Sequence, residues 1–370
     1  MGTLPLQKIL FGSPGTGKSY MIREIATAKL DIQLDPSTQT SPNIIKTVFH
    51  PEYTYGDFMG KLLPHGQGSN VTYKYYAGHF LKALGKTYRN ILDHRDENVP
   101  LPQCLLVIDE LNRGNASAIF GTVFQLLDRE EDGWSSYEID LSDLELVGLL
   151  NAMGYKAGVS NDEAISILLG PGNTKSLETL CQEQRVQFDQ SFPDALHLLN
   201  LLEGKKIKLP PNLSIIGTIN TSDESIYYLD SAFKRRWDWQ YIAAPLSEND
   251  APNELTGLNV TLPNSSLIRW TEFIVELNRF IRSHHQSIRR IEDKQIGWWF
   301  IKPINGEISF QQVKDKLLFY LWDTVFAKDR RPLEEKLSSV LSNEQLVTFA
   351  DFANHAQAFM ESITPASIPF

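Results

Sequence analysis

Residues Gly12 to Ser19 read Gly-Ser-Pro-Gly-Thr-Gly-Lys-Ser, and few folds can use such a run. The apolar stretch Ile9-Leu10-Phe11 before it has the character of a short buried strand. Tyr20-Met21-Ile22-Arg23-Glu24-Ile25 after it carries the apolar spacing of a helix. A strand, a glycine-rich loop ending in Lys-Ser and a helix together specify a phosphate-binding loop, where the same residues in a lone turn would not. The glycines let the backbone close around phosphate oxygens, so that amide N–H groups and the helix N-terminus face negative charge. Lys18 is placed to reach the β- and γ-phosphates, and the Ser19 hydroxyl to ligate Mg²⁺. Gly12, Ser13, Pro14, Gly15, Thr16, Gly17, Lys18, Ser19 and the adjacent Tyr20 are the expected nucleotide-binding residues. A chain built this way is expected to bind a nucleoside triphosphate.

At 370 residues the chain exceeds one ordinary domain, and two or three are expected. With 42% hydrophobic and 22% charged residues it has the make-up of a cored globular protein. A net charge of −10 argues against broad attraction to nucleic acid or anionic membranes, although a local basic channel stays open. Two cysteines, Cys104 and Cys181, are too few for a disulfide framework, and Cys104 opens an apolar strand, so reduced thiols are expected. The first strand starts almost at once, and no apolar stretch is long enough for a bilayer span. A cytoplasmic protein without a membrane partner is the expectation.

Short apolar strands alternate with helices along the first part of the chain. Beyond the loop and its helix, the polar segment Asp31 to Pro42 reads as a surface connection, and a second strand follows at Ile44 to Phe49. Helical character runs from Gly78 to Ile91 and from Asn115 to Leu127. Cys104 to Ile108 and Ser214 to Ile219 are continuous apolar runs, as expected of parallel strands buried on both faces. The fold class is therefore α/β, with a parallel sheet flanked by helices. From about Leu141 to Lys206 the pattern predicts a helical insertion. Ser142 and Glu145 form a capping box, Ser160-Asn161-Asp162-Glu163 starts a second helix over Ala164 to Leu169, and a third spans Pro193 to Leu202. Residues 1–245 thus form the nucleotide-binding domain, and 246–370 a C-terminal helical lid with helices over Leu267 to Ile288 and Val313 to Phe326. Between those helices, Ile296-Gly297-Trp298-Trp299-Phe300 reads as a strand or turn.

The strand at Cys104 to Ile108 ends in Asp109-Glu110. An aspartate at such a strand end can hold Mg²⁺, and the adjacent glutamate can polarise the attacking water. The strand at Ser214 to Ile219 ends in Asn220, which could orient that water. Lys234-Arg235-Arg236 then offers cations that suit either a helix end or the nucleotide of a neighbouring subunit.

Taken in order, these elements resemble the signature set of AAA+ ATPases. In detail they are similar to the McrB-like branch, the motor subunits of McrBC-type modification-dependent restriction systems. Ile108-Asp109-Glu110-Leu111-Asn112-Arg113-Gly114-Asn115 with Ile119-Phe120-Gly121 resembles that branch's extended Asp-Glu motif. Phe49 to Phe58 resembles its second-strand segment, and Pro211 to Asp223 its Met-Asn-Thr-Ala-Asp-Arg region. The resemblance implies an AAA+ core with a helical lid, acting as a ring oligomer, expected to be a hexamer. It implies Mg²⁺ as cofactor and ATP or GTP as substrate; most AAA+ relatives use ATP, and the loop itself cannot choose the base. It implies catalytic roles for Glu110 and Asn220, and for Arg235 or Arg236 acting on the next protomer, with Ser19 and Asp109 as metal ligands. Its implied output is DNA translocation or remodelling beside a separate McrC-like nuclease. So little chain precedes Phe11 that target recognition is expected from a partner, or else this chain is only a motor portion. Two other outputs fit the same motifs: a MoxR-like or dynein-like protein-remodelling chaperone, and a nucleotide-gated scaffold.

Three departures from the pattern limit what can be carried over. Glu224 stands where the signature has Arg, Trp298 stands where the lid tends to carry His, and the insertion is long. Pro193-Asp194 with Glu203-Gly204-Lys205 spells a nuclease-like pattern, but the helical residues between them do not suit strand-borne metal carboxylates. His284-His285 lacks Cys or spaced His partners for zinc. Trp298-Trp299 is read as a lid-core pair in preference to a base-stacking platform.

Overall fold

The structure, a computed structural model, describes residues 4–67, 70–159, 164–170, 173–221, 227–342 and 345–364. It divides into two compact units. One comprises Met1–Leu10, Met21–Ile219 and Ser225–Gln240; the other comprises Phe11–Tyr20, Asn220–Glu224 and Tyr241–Phe370.

Along the chain, β1 (Gln7–Gly12) leads through the loop into α1 (Lys18–Glu24), and β2 (Ile44–Val48) and α2 (Tyr55–Phe58) follow. A hairpin of β3 (Gly60–Gln67) and β4 (Asn70–Ala77) precedes α3 (His79–Asp93), β5 (Cys104–Asp109) and α4 (Ala116–Phe120). Next come β6 (Ile139–Asp140), α5 (Asp143–Ala152), β7 (Lys156–Val159), β8 (Ile165–Gly170) and β9 (Asn173–Ser176). They are followed by α6 (Leu177–Arg185), α7 (Pro193–Glu203) and β10 (Lys206–Ile207). The chain then runs through β11 (Leu213–Asn220), α8 (Ser231–Lys234) and β12 (Asp238–Tyr241).

The main sheet has five strands in the order β12-β1-β11-β5-β2. β5 pairs in parallel with β11, setting Cys104 opposite Leu213, and with β2, setting Leu105 opposite Ile44. β1 runs the same way as β11, because the Ile215 N–H donates to Leu6 O and the Thr221 N–H to Gly12 O. Every side chain from Cys104 to Ile108 is buried, which is why that strand reads as unbroken apolar sequence. Both thiols are free and buried, and burial pushes the Cys104 thiol up to about 11 and that of Cys181 up to about 12.

The stretch expected to be a helical insertion is mixed in structure. α5 does start at Ser142, whose hydroxyl and Glu145 form the reciprocal capping box, and α7 starts with Pro193 at its first turn. Ala164 to Leu169, however, is not a helix. Ile165–Gly170 is β8, the central strand of an antiparallel sheet β7-β8-β9. Ile165 and Ile167 are buried while Ser166 and Leu168 face outward, an alternation of period two with β-branched residues at the inward positions. The start signal assigned to residues 160–163 lies outside the described residues. The hairpin β3–β4 was not foreseen either; β4 packs on α5.

In the second unit the helix expected from Leu267 begins at Trp270. Leu267–Arg269 is instead β14, paired antiparallel with β13 (Asn259–Thr261) across a turn in which Asn264 Oδ1 accepts the Ser266 N–H at 3.1 Å. α9 (Trp270–Ser283) then carries Trp270, Phe273 and Leu277 into a core shared with Leu317, Leu321 and Phe359. The helical run from Phe310 to Val325 contains π-type turns.

Candidate nucleotide site

The phosphate loop lies in the second unit and is held by the C-terminal region of the same unit. Ile9 and Leu10 are fully buried, and they fix the strand from which the loop departs. Lys18, itself buried, donates from Nζ to Gly12 O and Ser13 O, each at 2.9 Å, so its ammonium lies within the curl of the loop. The Thr16 hydroxyl donates to Ser13 O at 2.9 Å and fixes the turn between them. Ser19 and Tyr20 are exposed at the start of α1. Asn220 ends β11, and the next residue ties that tip to the loop, since the Thr221 N–H donates to Gly12 O at 3.3 Å.

The segment Ile296 to Phe300 forms a turn laid directly on the loop backbone. The Gly297 N–H donates to Pro14 O at 3.1 Å and the Trp299 N–H to Gly15 O at 2.8 Å. The Ser13 hydroxyl donates to Glu292 O. Two glycines make this approach feasible. Gly15 sits at φ 75°, and a Cβ there would meet Phe300 N at 2.5 Å; a Cβ on Gly297 would lie 2.1 Å from both Gly15 C and Thr16 N. The turn is anchored from behind by the fully buried Asn278. Its Oδ1 accepts the Ile296 N–H at 2.8 Å, and its Nδ2 donates to Ile296 O at 2.8 Å and Pro245 O at 3.0 Å. Both members of the expected Trp298-Trp299 core pair meet the core of this unit, Trp298 within it and Trp299 partly buried against it. Trp298 is buried and its carbonyl accepts the Trp270 Nε1–H at 3.2 Å, whereas the Trp299 ring stacks on Tyr20, centroids 6.0 Å apart. Gly297→Ala is expected to lower the stability of this unit by about 2 kcal/mol or more, because its close neighbours are backbone atoms that cannot rotate away. A thermal melt checks this; an unchanged Tm would mean that the turn does not need its present approach.

The first unit carries the acidic motif. Asp109 ends β5, and its Oδ1 accepts the Thr218 hydroxyl at 2.9 Å. Glu110 follows in a left-handed conformation, φ 55°, and its N–H donates to Thr218 Oγ1 at 3.2 Å. The turn closes with the Leu111 N–H on Thr218 O and the Arg113 N–H on Glu110 O, both at 2.9 Å. Leu111 and Asn112 are buried beneath it, and Asn112 O accepts the Tyr227 N–H. Asn115 caps α4 by accepting the Ala118 N–H at 3.2 Å. The second-strand segment builds an aromatic cluster below: Phe49 meets Tyr53 and Phe58, and Phe58 meets Phe120 at 4.8 Å between ring centroids.

The two arginines take different settings. Arg236 turns inward, pairing with Asp128 at 2.6 Å, donating to Ala232 O at 2.9 Å and lying over the Phe124 ring at 4.1 Å. Arg235, at the end of α8, is exposed. Glu224 lies outside the described residues. The nuclease-like residues are engaged structurally, Asp194 by the Trp134 Nε1–H at 2.8 Å and Glu203 by Arg185 at 2.7 Å. His284 packs against Phe280 and Phe326 in the helical core.

Sequence reasoning missed Thr218 and Asn278. Each had one faint signal, a polar residue among buried apolar ones, in a strand for Thr218 and on the apolar face of a helix for Asn278, where an unpartnered group is costly.

A parallel sheet with a glycine-rich loop after its first strand and an acidic pair after another buried strand of the sheet defines the class. Residues 7–164 match the AAA domain of the dynein-related subfamily, and that stretch of the chain is an AAA domain. Within that class the chain is homologous to restriction-system components. It is 28% identical over 350 residues to the YdiS component of the type II restriction enzyme BsuMI of Bacillus subtilis (strain 168), spanning 88% of this chain and 80% of that protein. It is 23% identical over 238 residues to the EcoKMcrB subunit of the type IV methyl-directed restriction enzyme of Escherichia coli (strain K12), spanning 64% of this chain and 35% of that subunit. The AAA domain implies nucleotide binding and triphosphatase activity. No described helix is long and apolar enough to cross a membrane.

Proposed function

We propose that this chain is the motor of a restriction or defence complex, coupling Mg²⁺-dependent hydrolysis of ATP or GTP to translocation or remodelling of DNA. The observation that carries the reading is that one chain, homologous to restriction components, holds both a Lys18 phosphate loop and a built Asp109-Glu110 turn. Lys18 and the loop amides hold the phosphates. Ser19 and Asp109 supply the hard oxygen ligands that Mg²⁺ prefers, a hydroxyl and a carboxylate. When bound, Mg²⁺ would supply positive charge to offset that of the phosphates. Glu110 accepts the proton of the attacking water and Asn220 orients that water. Arg235, exposed at the end of α8, is the cation presented to the nucleotide of the next protomer in a ring, expected to be a hexamer. Cleavage belongs to a separate McrC-like nuclease partner, through which the motor meets DNA, in the cytoplasm.

The test is hydrolysis of ATP and of GTP by the purified chain, with and without duplex DNA and the neighbouring gene product. Turnover raised by DNA together with that product supports the reading. Turnover raised by a protein client alone would assign the motor to protein remodelling. Full biological function in the absence of any turnover would make the chain a nucleotide-gated scaffold.

A further inference from the structure

We infer that Thr218 is a positioning residue for hydrolysis, its hydroxyl holding Asp109 and Glu110 in one fixed turn. The inference rests on the triphosphatase reading above and deepens it. Thr218 is buried in β11, a strand whose neighbouring residues Ile215, Ile216, Gly217 and Ile219 carry no polar side chain. Its Oγ1 makes two contacts across to the end of β5, one to the Asp109 carboxylate at 2.9 Å and one to the Glu110 N–H at 3.2 Å. The direction of each bond is forced. A backbone N–H can only donate, so the hydroxyl accepts from Glu110; an ionised carboxylate can only accept, so the hydroxyl proton points to Asp109.

This arrangement answers a specific difficulty. Glu110 is a non-glycine residue at φ 55°, a backbone region that L residues avoid and that persists only where surrounding contacts enforce it. The Thr218 hydroxyl grips the residue at its N–H and the preceding residue at its carboxylate. It thereby sets the angle at which Glu110 leaves the strand. Engaging Oδ1 of Asp109 also restricts the rotation of that carboxylate. The Leu111 N–H bond to Thr218 O is a backbone contact and survives any side-chain change. Substitution at 218 therefore removes the hydroxyl's part alone.

Thr218→Val keeps shape and β-branching and loses both hydroxyl bonds; Thr218→Ser keeps both bonds. The expected result for Val is a kcat about tenfold or more below native with KM for the nucleotide within about twofold, the signature of an interaction made in the transition state. The Mg²⁺ concentration for half-maximal rate should rise with it. Ser should restore kcat to within about twofold of native, because the bonds and not the methyl carry the effect. Should Val fail to fold, Thr218→Cys against Thr218→Ser repeats the comparison, since a thiol is a weak donor and acceptor. Equal kcat for Val and native, or for Cys and Ser, overturns the inference while native turnover leaves the triphosphatase reading standing. A native chain that hydrolyses no triphosphate overturns that reading and the inference with it.

Discussion

Replacing Glu110 by Gln is expected to cut triphosphate hydrolysis by about 10³-fold, within the range lost when a general base is removed, and to leave nucleotide affinity nearly unchanged. The two side chains have the same size, so the turn over Leu111 and its bonds to Thr218 are retained. What changes is the acceptor: an amide oxygen cannot take up the proton of the attacking water at neutral pH. Affinity should persist because Lys18 and the loop amides, the groups expected to hold the phosphates, are themselves unchanged by the substitution. Rates from phosphate release and affinity from a fluorescent nucleotide analogue separate the two effects. A variant that hydrolyses at close to the native rate would remove Glu110 from the chemistry and send the search for a base elsewhere.

The arginine pair gives the second large effect, and its value lies in the contrast. Arg235→Ala is expected to reduce hydrolysis in the proposed ring by about 10³-fold, the lower end of what an arginine finger contributes. Its Tm should stay within a degree or two of native, because an exposed side chain at a helix end contributes little to folding. Arg236→Ala should do the reverse. Removing it strands the Asp128 carboxylate, opens the face of Phe124 and releases Ala232 O, at a cost of about 2 kcal/mol in stability. Mixing each variant with an excess of Glu110→Gln protomers tests whether Arg235 acts between subunits. A finger acting within its own chain would show no dependence on the neighbour. Equal loss of activity and equal loss of Tm in both variants would dissolve the distinction between them.

Much of this was legible in the chain because the relevant residues act through local sequence. The phosphate loop needs a strand before it and a helix after it, and both leave apolar periodicity next to the motif. The buried strands β5 and β11 announce themselves because parallel strands covered on both faces admit few polar residues. Ser142 and Glu145 betray the start of α5 by a bond that closes within three residues. What stayed hidden depends on distance in sequence. β8 is a strand because β7 and β9 flank it, and its six residues alone fit a helical turn as well. Leu267–Arg269 looks like the first turn of a helix until β13 is known to pair with it. The difference between Arg235 and Arg236 is set by Asp128 and Phe124, over a hundred positions away, and no pattern in Lys-Arg-Arg could have told them apart.

The clasp of Gly297 to Phe300 on the phosphate loop bears on how such a chain can change over generations. A side chain at position 15 is barred by Phe300, and one at 297 by Gly15 itself. Ser13, Pro14 and Gly15 each share a hydrogen bond with residues between 292 and 299. Substitutions in either stretch must therefore be tolerated by the other, and a fragment that stopped at residue 164 would keep the recognisable motif and lose what clasps it. Two stretches far apart in the polypeptide are constrained as one, and a graft of the loop without its distant partner would carry over the letters of the motif but not its shape.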